Sequence, residues 1–330
     1  MRVREPDGPA ALWVLSRVKR LALLARSFEL KRVLVEGSAN TGDSRHKVAY
    51  LGEGESLAWL KGAYFKRVDR QAVGRQSLLS LGEEVQRLAA GGAVVFVEVN
   101  RWLDFLNPHG GWLTFPWLRQ VVALSQVDRK KRKKSVEREV ARKVRQQGFR
   151  CRVSSDRADL VRFHRELYVP YLSWRFGAQA NPRGLGELKT ALRSGFLLQV
   201  LDPEGWLAGS VCLRRSDRLI VLAFGLGPDY ETNLARGAIS ALYYFLFRFA
   251  EEKSIDRVDL VRSRPQADDG VYWHKKRWGA RPEKDAWPHT CLRVFLPPGG
   301  SPPPRLARLM IWTGQGFVEL GEMVPDRFGA

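Results

Sequence analysis

The segment Val271–Ala280, VYWHKKRWGA, sets Lys275, Lys276 and Arg277 in a row among Tyr272, Trp273 and Trp278, and Gly279 ends the run of aromatics. A cation fixed beside developing negative charge lowers a reaction barrier, which makes Lys275 a candidate catalytic group. A short helix over 271–278 would set Trp273 and Trp278 into a sheet and turn Lys276 and Arg277 to solvent. A surface helix with aromatics on one side and charges on the other would carry the same residues. Four titratable side chains are candidate bases: Asp268 and Asp269 just before this segment, and Glu166 and Tyr168 in FHRELYVPYLSWRFGA (163–178). Spacing singles out none of them, and proton removal from an amine can run through water.

Other chemistries find less support. The five histidines, His46, His109, His164, His274 and His289, show no metal-ligand spacing, so no metal site is expected. Cys151, Cys212 and Cys291 are odd in number and far apart, which fits a reducing compartment and a cytoplasmic protein. No apolar run reaches 18 residues, so no membrane-spanning helix is expected. Lys and Arg number 55 against 35 Asp and Glu, a net charge of +20. Such a balance favours polyanions, although a uniformly basic surface gives the same total.

The elements that would position these residues follow from periodicity. About half of the net charge lies in Arg129–Arg152, RKKRKKSVEREVARKVRQQGFRCR, with twelve Lys or Arg against two Glu. Val136, Val140 and Val144 make one apolar stripe there, and Gly148 stands where a helix ends, which predicts a basic helix with a narrow buried face. Residues 195–225 read as an antiparallel meander, with strands at 196–201, 206–214 and 219–224 and turns at Asp202–Gly205 and Ser216–Asp217. A helix follows, with apolar positions at Ala238, Ile239, Leu242, Phe245, Leu246 and Phe249 and Arg236-Gly237-Ala238 in its first turn. Strands at 255–261 and 289–297 flank the opening segment. At the N-terminus, the spacing of Leu12, Leu15, Val18 and Ala22 fits either a basic amphipathic helix resting on anionic lipid or a docking helix.

This order of elements resembles the GNAT acyltransferase fold, in the branch of the Fem-type aminoacyltransferases and the CelD/BcsL-type acetyltransferases. The basic helix, the aromatic helix with its late Arg175 before Gly177, the strand-turn-strand LQVLDPEGWLAGSVCLR and the closing VDLVRSRPQADDGVYWHKKRWGA carry the likeness over roughly residues 110–296. In the closing motif Lys275 falls on the family's lysine and Trp278-Gly279 on its aromatic-glycine pair. His274 stands where an aromatic residue is more usual.

The resemblance implies an α+β (α/β) architecture with a mixed, mostly antiparallel sheet flanked by helices, in two tandem modules. The expected division is a degenerate first module over 1–128, a connecting basic helix over 129–148, the acyltransferase module over 149–296 and a Pro/Gly linker with a tail over 297–330. It also implies that donor phosphates lie on the stretch holding Gly225, Gly227, Leu234, Arg236, Gly237 and Ala238, where a helix N-terminus and close backbone approach favour anions. This stretch lacks the usual glycine pair before the helix. Lys275 would bind an acyl carbonyl or a phosphate, Asp269 and Tyr168 are candidate catalytic groups, and Arg175, Tyr171 and Trp278 would meet the substrate.

The function expected is N-acyl transfer from acetyl-CoA or another acyl-CoA to an amine of an envelope sugar, lipid or peptide precursor, without a metal. One alternative is Fem-like transfer from aminoacyl-tRNA, with 129–152 tracking RNA phosphates. Another is a basic scaffold without catalysis, bound to nucleic acid or an anionic membrane. A peripheral position at the inner membrane face is compatible with each, and the oligomeric state stays open.

Overall fold

The computed structural model describes residues 29–39, 45–106, 110–124, 134–177, 180–284 and 289–324. The expected helix around Leu12–Ala22 and the charged loop 129–133 lie outside them. The chain divides into two compact units. One comprises Met1–Leu118, Arg264–Asp269 and Lys284–Ala330, and the other Arg119–Ser263 and Gly270–Glu283.

In chain order the first elements are β1 (Glu29–Ala39), β2 (Arg45–Gly52), α1 (Leu57–Tyr64), β3 (Phe65–Ser77), α2 (Leu81–Ala90), β4 (Val94–Asn100) and β5 (Trp112–Thr114). Next come β6 (Leu118–Ala123), α3 (Lys134–Gln146), β7 (Arg150–Ser154), α4 (Arg157–Arg162), α5 (Val169–Phe176), α6 (Leu185–Leu192), β8 (Gly195–Asp202) and β9 (Gly205–Arg215). Then follow β10 (Arg218–Leu226), α7 (Tyr230–Arg236), α8 (Ala238–Glu252), β11 (Arg257–Ser263), α9 (Gly270–Arg277), β12 (Arg281–Glu283) and β13 (Thr290–Phe295).

The first unit is built on a mixed six-stranded sheet in the order β3-β1-β2-β4-β13-β5. β4 is buried at all seven positions, as a central strand covered on both faces must be. Its Val95, Val97 and Val99 pack with Leu81, Val85 and Leu88 of α2. Its Val94 and Phe96 pack with Trp59, Leu60 and Tyr64 of α1. The strand expected at 289–297 as the last of the C-terminal module is β13, which pairs instead between β4 and β5 in this sheet. Its Leu292 and Val294 are fully buried there, in the same cluster as Phe96.

The second unit has a seven-stranded sheet in the order β12-β6-β11-β10-β9-β8-β7. Strands β8 to β10 form the antiparallel meander that the turn residues predict, β7 adds antiparallel to β8, and β11 joins β10 in parallel. A long helix before a parallel strand gives this unit the GNAT arrangement. The segment WLTFPWLRQVVAL divides at Pro116: β5 pairs in the first sheet, and β6 pairs with β12 in the second. Proline has no N–H to give a ladder, so a strand interrupted there can change partners.

The valine stripe of α3 is buried as its spacing predicts. Val136, Val140 and Val144 pack in one cluster with Ala238, Ala241, Leu242 and Leu246 of α8. The helix expected to include Arg236-Gly237-Ala238 in its first turn is two helices. Gly237, at φ +89°, ends α7 and begins α8, a conformation that glycine takes without a Cβ penalty.

Candidate active site

The site begins where two parallel strands part. β10 and β11 pair only from Arg218–Ile220 against Arg257–Asp259, yet they run on to Leu226 and Ser263. Two local features separate them. In β10 the register against β9 shifts between Val221 and Ala223, leaving Leu222 as a bulge. In β11 Val261 has φ +62°, a strained conformation for a β-branched residue. Its N–H donates to Asp259 Oδ1 at 2.9 Å. Asp259 is fully buried and ion-paired with Arg119 and with Arg218 at 3.7 Å. The carboxylate therefore holds the turn of β11 in place.

A cavity of about 810 Å³ opens between the parted strands. Leu222–Phe224 and Leu260–Arg262 line it from the sheet, and Leu234, Ile239, Ser240 and Tyr243 from α7 and α8. Tyr168, Tyr171 and Arg175 form another wall, and Arg183, Glu187, His274 and Lys275 complete the polar lining.

The tyrosine wall owes its shape to Pro170. Proline cannot donate to the preceding turn and crowds its carbonyls, and one π-helical turn, Phe163–Tyr168, lies directly before it. Val169 N–H consequently donates to His164 O, five residues back. The Phe163 and Tyr168 rings stack within that turn, 5.8 Å apart. Arg183 fastens the wall to the sheet. Its N–H donates to Tyr168 Oη at 3.0 Å, and its Nε donates to the carbonyl of the bulged Leu222 at 3.2 Å.

Lys275 is 3 % exposed. Its Nζ donates to Arg262 O at 2.9 Å and to Ser263 Oγ at 3.1 Å. Ser263 Oγ in turn donates to Gln120 Oε1 at 2.5 Å, and Gln120 Nε2 donates to Tyr272 O at 3.1 Å. This chain ties α9, β6 and the end of β11 together, so Lys275 both lines the cavity and anchors its rim.

The ionised groups of the lining are Arg175, Arg183, Arg262 and Lys275 against Glu187, which pairs with Arg183. Burial pushes the phenols of Tyr168, Tyr171 and Tyr243 above their ordinary value, so all three remain proton donors at neutral pH. Burial, reinforced by Arg277, Arg175 and Lys275, pushes His274 down to about 4, so its imidazole is neutral. The cavity is therefore positive and ringed by phenols, suited to an anionic ligand with an apolar or aromatic part.

Of the residues predicted from sequence, Lys275, Tyr168, Tyr171, Arg175 and Leu234 share this cavity. Trp278 is buried in the core, against Tyr243 and Phe247. Asp269 belongs to the first unit, where its N–H donates to Gln266 O. Gly225 serves close packing, because a Cβ there would stand 2.7 Å from Phe163 and 2.9 Å from the backbone of Leu167. The Gly227 amide donates to Leu207 O, and Ala238 is fully buried. Arg236, at the end of α7 before Gly237, donates to Asp202 Oδ2 at 2.8 Å and to Gln147 Oε1 at 3.2 Å. Sequence reasoning missed Arg183, Ser240, Tyr243 and Arg262. His274 was visible as a departure inside the closing motif.

In the first unit the carboxyl end of the parallel pair β2–β4 is closed by the chain's own side chains. Glu98 Oε2 accepts from Ser56 N at 2.9 Å, at the start of α1, and from Tyr50 Oη at 2.7 Å. Tyr50 Oη accepts from Gly54 N at 2.7 Å. A buried carboxylate thus takes the place there that an anion would need. Among the described residues no group of three His, Cys, Asp or Glu is arranged to hold a metal ion, and no helix is long and apolar enough to cross a membrane.

No protein-family model matches the sequence, and no curated protein matches it. Solved structures similar to it include L-PGS from Bacillus licheniformis, at 13% identity and a TM-score of 0.42, covering 90% of this chain and 94% of that one. FemX is similar at 12% identity and a TM-score of 0.43, covering 80% and 84% of the two chains. A GCN5-related N-acetyltransferase from Sphaerobacter thermophilus is similar at 12% identity and a TM-score of 0.35, covering 62% and 59%.

Proposed function

We propose that the second unit transfers an acetyl-like acyl group from acyl-CoA to an amine of a cell-envelope sugar, lipid or peptide precursor. The observation that carries this reading is the parting of β10 and β11 around a cavity of about 810 Å³ whose ionised lining is mostly cationic. Its volume falls within the range of small-molecule sites.

In this reading Arg175 and Arg262 hold donor phosphates, and Lys275 lies beside the acyl carbonyl, where negative charge develops as the amine nitrogen attacks. The carbon–sulfur bond then breaks. Tyr168, kept protonated by burial, gives its proton to the leaving thiolate and regains one through water from the attacking amine, so that thiol and amide leave and the phenol is restored. The first unit, closed by Glu98 at the end of its parallel pair, contributes no donor site.

Exposed Arg138, Arg142 and Arg145 lie on one face of α3 and favour a second reading, aminoacyl-tRNA as donor. A ligand that binds only the native state raises the melting temperature; at a hundredfold excess over Kd the gain is about 2.7 kcal/mol. Coenzyme A at millimolar concentration is expected to stabilise the protein, and Arg175→Ala to abolish the effect. Salt-dependent binding of tRNA without any response to coenzyme A would transfer the assignment to the second reading. Absence of both would remove acyl transfer altogether.

A further inference from the structure

The ring of His274 forms part of the cavity wall in α9. It leans on Tyr243 of α8, with centroids 5.1 Å apart. Its Nε2 is buried, and no described residue offers it a hydrogen bond. A buried polar nitrogen without a partner costs free energy, a cost that a ligand in the cavity would relieve by bonding to it.

The groups that face this ring are cations and phenols. Lys275 and Arg277 flank it on α9, Arg175 and Tyr171 line the same space from α5, Tyr243 from α8, and Arg262 from β11. Glu187, the carboxylate of the lining, pairs with Arg183. The free site thus repels a proton that an anion would welcome.

We infer that His274 is the proton-taking contact of the cavity: a donor phosphate held at Arg175 draws one proton from solvent onto the imidazole, whose Nε2 then donates to the phosphate. The inference rests on the anionic donor proposed above. It adds that capture is coupled to protonation, so the protein holds its ligand more tightly as pH falls. An aromatic residue at this position would supply packing without that coupling. The neutral ring of the free protein is the starting state such a device needs, and linkage sets its limit at a tenfold gain in affinity per unit of pH between the free and bound titrations.

The test is calorimetric titration of the full chain with coenzyme A at pH 5.5, 6.5 and 8.0, comparing wild type with His274→Asn. Because both proteins meet the same probe, its own titration cancels in the comparison. The wild type is expected to gain affinity toward low pH more steeply than the variant, approaching tenfold per unit. At pH 6.5, buffers of different ionisation heat should reveal up to one additional proton taken up. Parallel pH profiles with both proteins binding would overturn the role of His274 while leaving the donor reading intact. Failure of the wild type to bind at any pH would overturn both. Should His274→Asn not fold, histidine NMR on the wild type decides: the ring must be neutral in the free protein at pH 6.5 and charged in the complex, and a ring neutral in both refutes the inference.

Discussion

Lys275 Nζ lies 2.9 Å from the carbonyl oxygen of Arg262 and donates to it. The bond joins α9 to the last residues of β11, past the point where that strand turns away from β10. One ammonium therefore holds the cavity open and presents charge to it.

Replacing Lys275 should consequently affect more than turnover. Lys275→Ala removes the donor to both Arg262 O and Ser263 Oγ, and a buried acceptor left unmatched costs about 1–3 kcal/mol. Urea unfolding is expected to register that loss, together with a fall in acyl transfer. Lys275→Arg should rescue neither, because the planar guanidinium cannot replace a compact ammonium between two acceptors. A Lys275→Ala protein as stable as wild type would contradict the anchoring role.

At Val261 the side chain opposes the backbone. Its φ of +62° costs on the order of 1–3 kcal/mol for a non-glycine residue. A Val→Gly change in a strand normally destabilises, whereas Val261→Gly should leave the unfolding free energy within about 1 kcal/mol of wild type. Asp259→Ala, which leaves Arg119 and Arg218 without their buried carboxylate, should cost about 3–5 kcal/mol. A large loss in Val261→Gly would mean that the positive φ carries no strain.

Glu98 predicts a pH dependence. Burial raises its carboxyl above the ordinary value of 4.5, against the opposing bonds from Tyr50 and Ser56. With the folded value above the unfolded one, its stabilising contribution is complete below the unfolded value and is lost as pH rises through the folded value. Glu98→Gln abolishes this titration. The stability of wild type relative to Glu98→Gln should therefore decline from pH 4.5 toward 8, measured by denaturant unfolding at several pH values. A constant difference would show that burial does not perturb the carboxyl.

Gly225 offers a packing test. A Cβ there would meet Phe163 at 2.7 Å and the Leu167 and Tyr168 backbone at 2.9 Å. Overpacking of this kind costs about 1–3 kcal/mol. Gly225→Ala should lower the melting temperature and displace Tyr168 from the cavity wall, which a change in tyrosine fluorescence or a crystal structure of the variant would reveal. Unchanged stability would return Gly225 to the set of residues free to approach a ligand.

Much of this was legible in the sequence where the signal is local. The meander at 195–225 is legible in its turn residues, the stripe of α3 in valines four apart, and α9 in the run of aromatics and cations ending at Gly279. Lys275 belongs to that last segment and Tyr168, Tyr171 and Arg175 to the aromatic stretch 163–178, and the four share a cavity. What stayed hidden depends on distant partners or on backbone geometry. Nothing near Val261 signals a positive φ, because Asp259 and its two arginines impose it. Arg183 has no local motif, and its place follows from the carbonyl freed by the bulge at Leu222. The apolar run at 289–297 specifies a strand but not its sheet, since Leu292 and Val294 would suit either core.

The central place of β13 in the first sheet sets an order on biosynthesis. While the ribosome is still extending the chain toward Thr290, β4 has emerged with one flank bare, and everything the second unit needs is translated before that flank can be covered. Nascent chains stalled before this strand would carry an open, valine-rich ladder, a natural target for chaperones and a seed for aggregates.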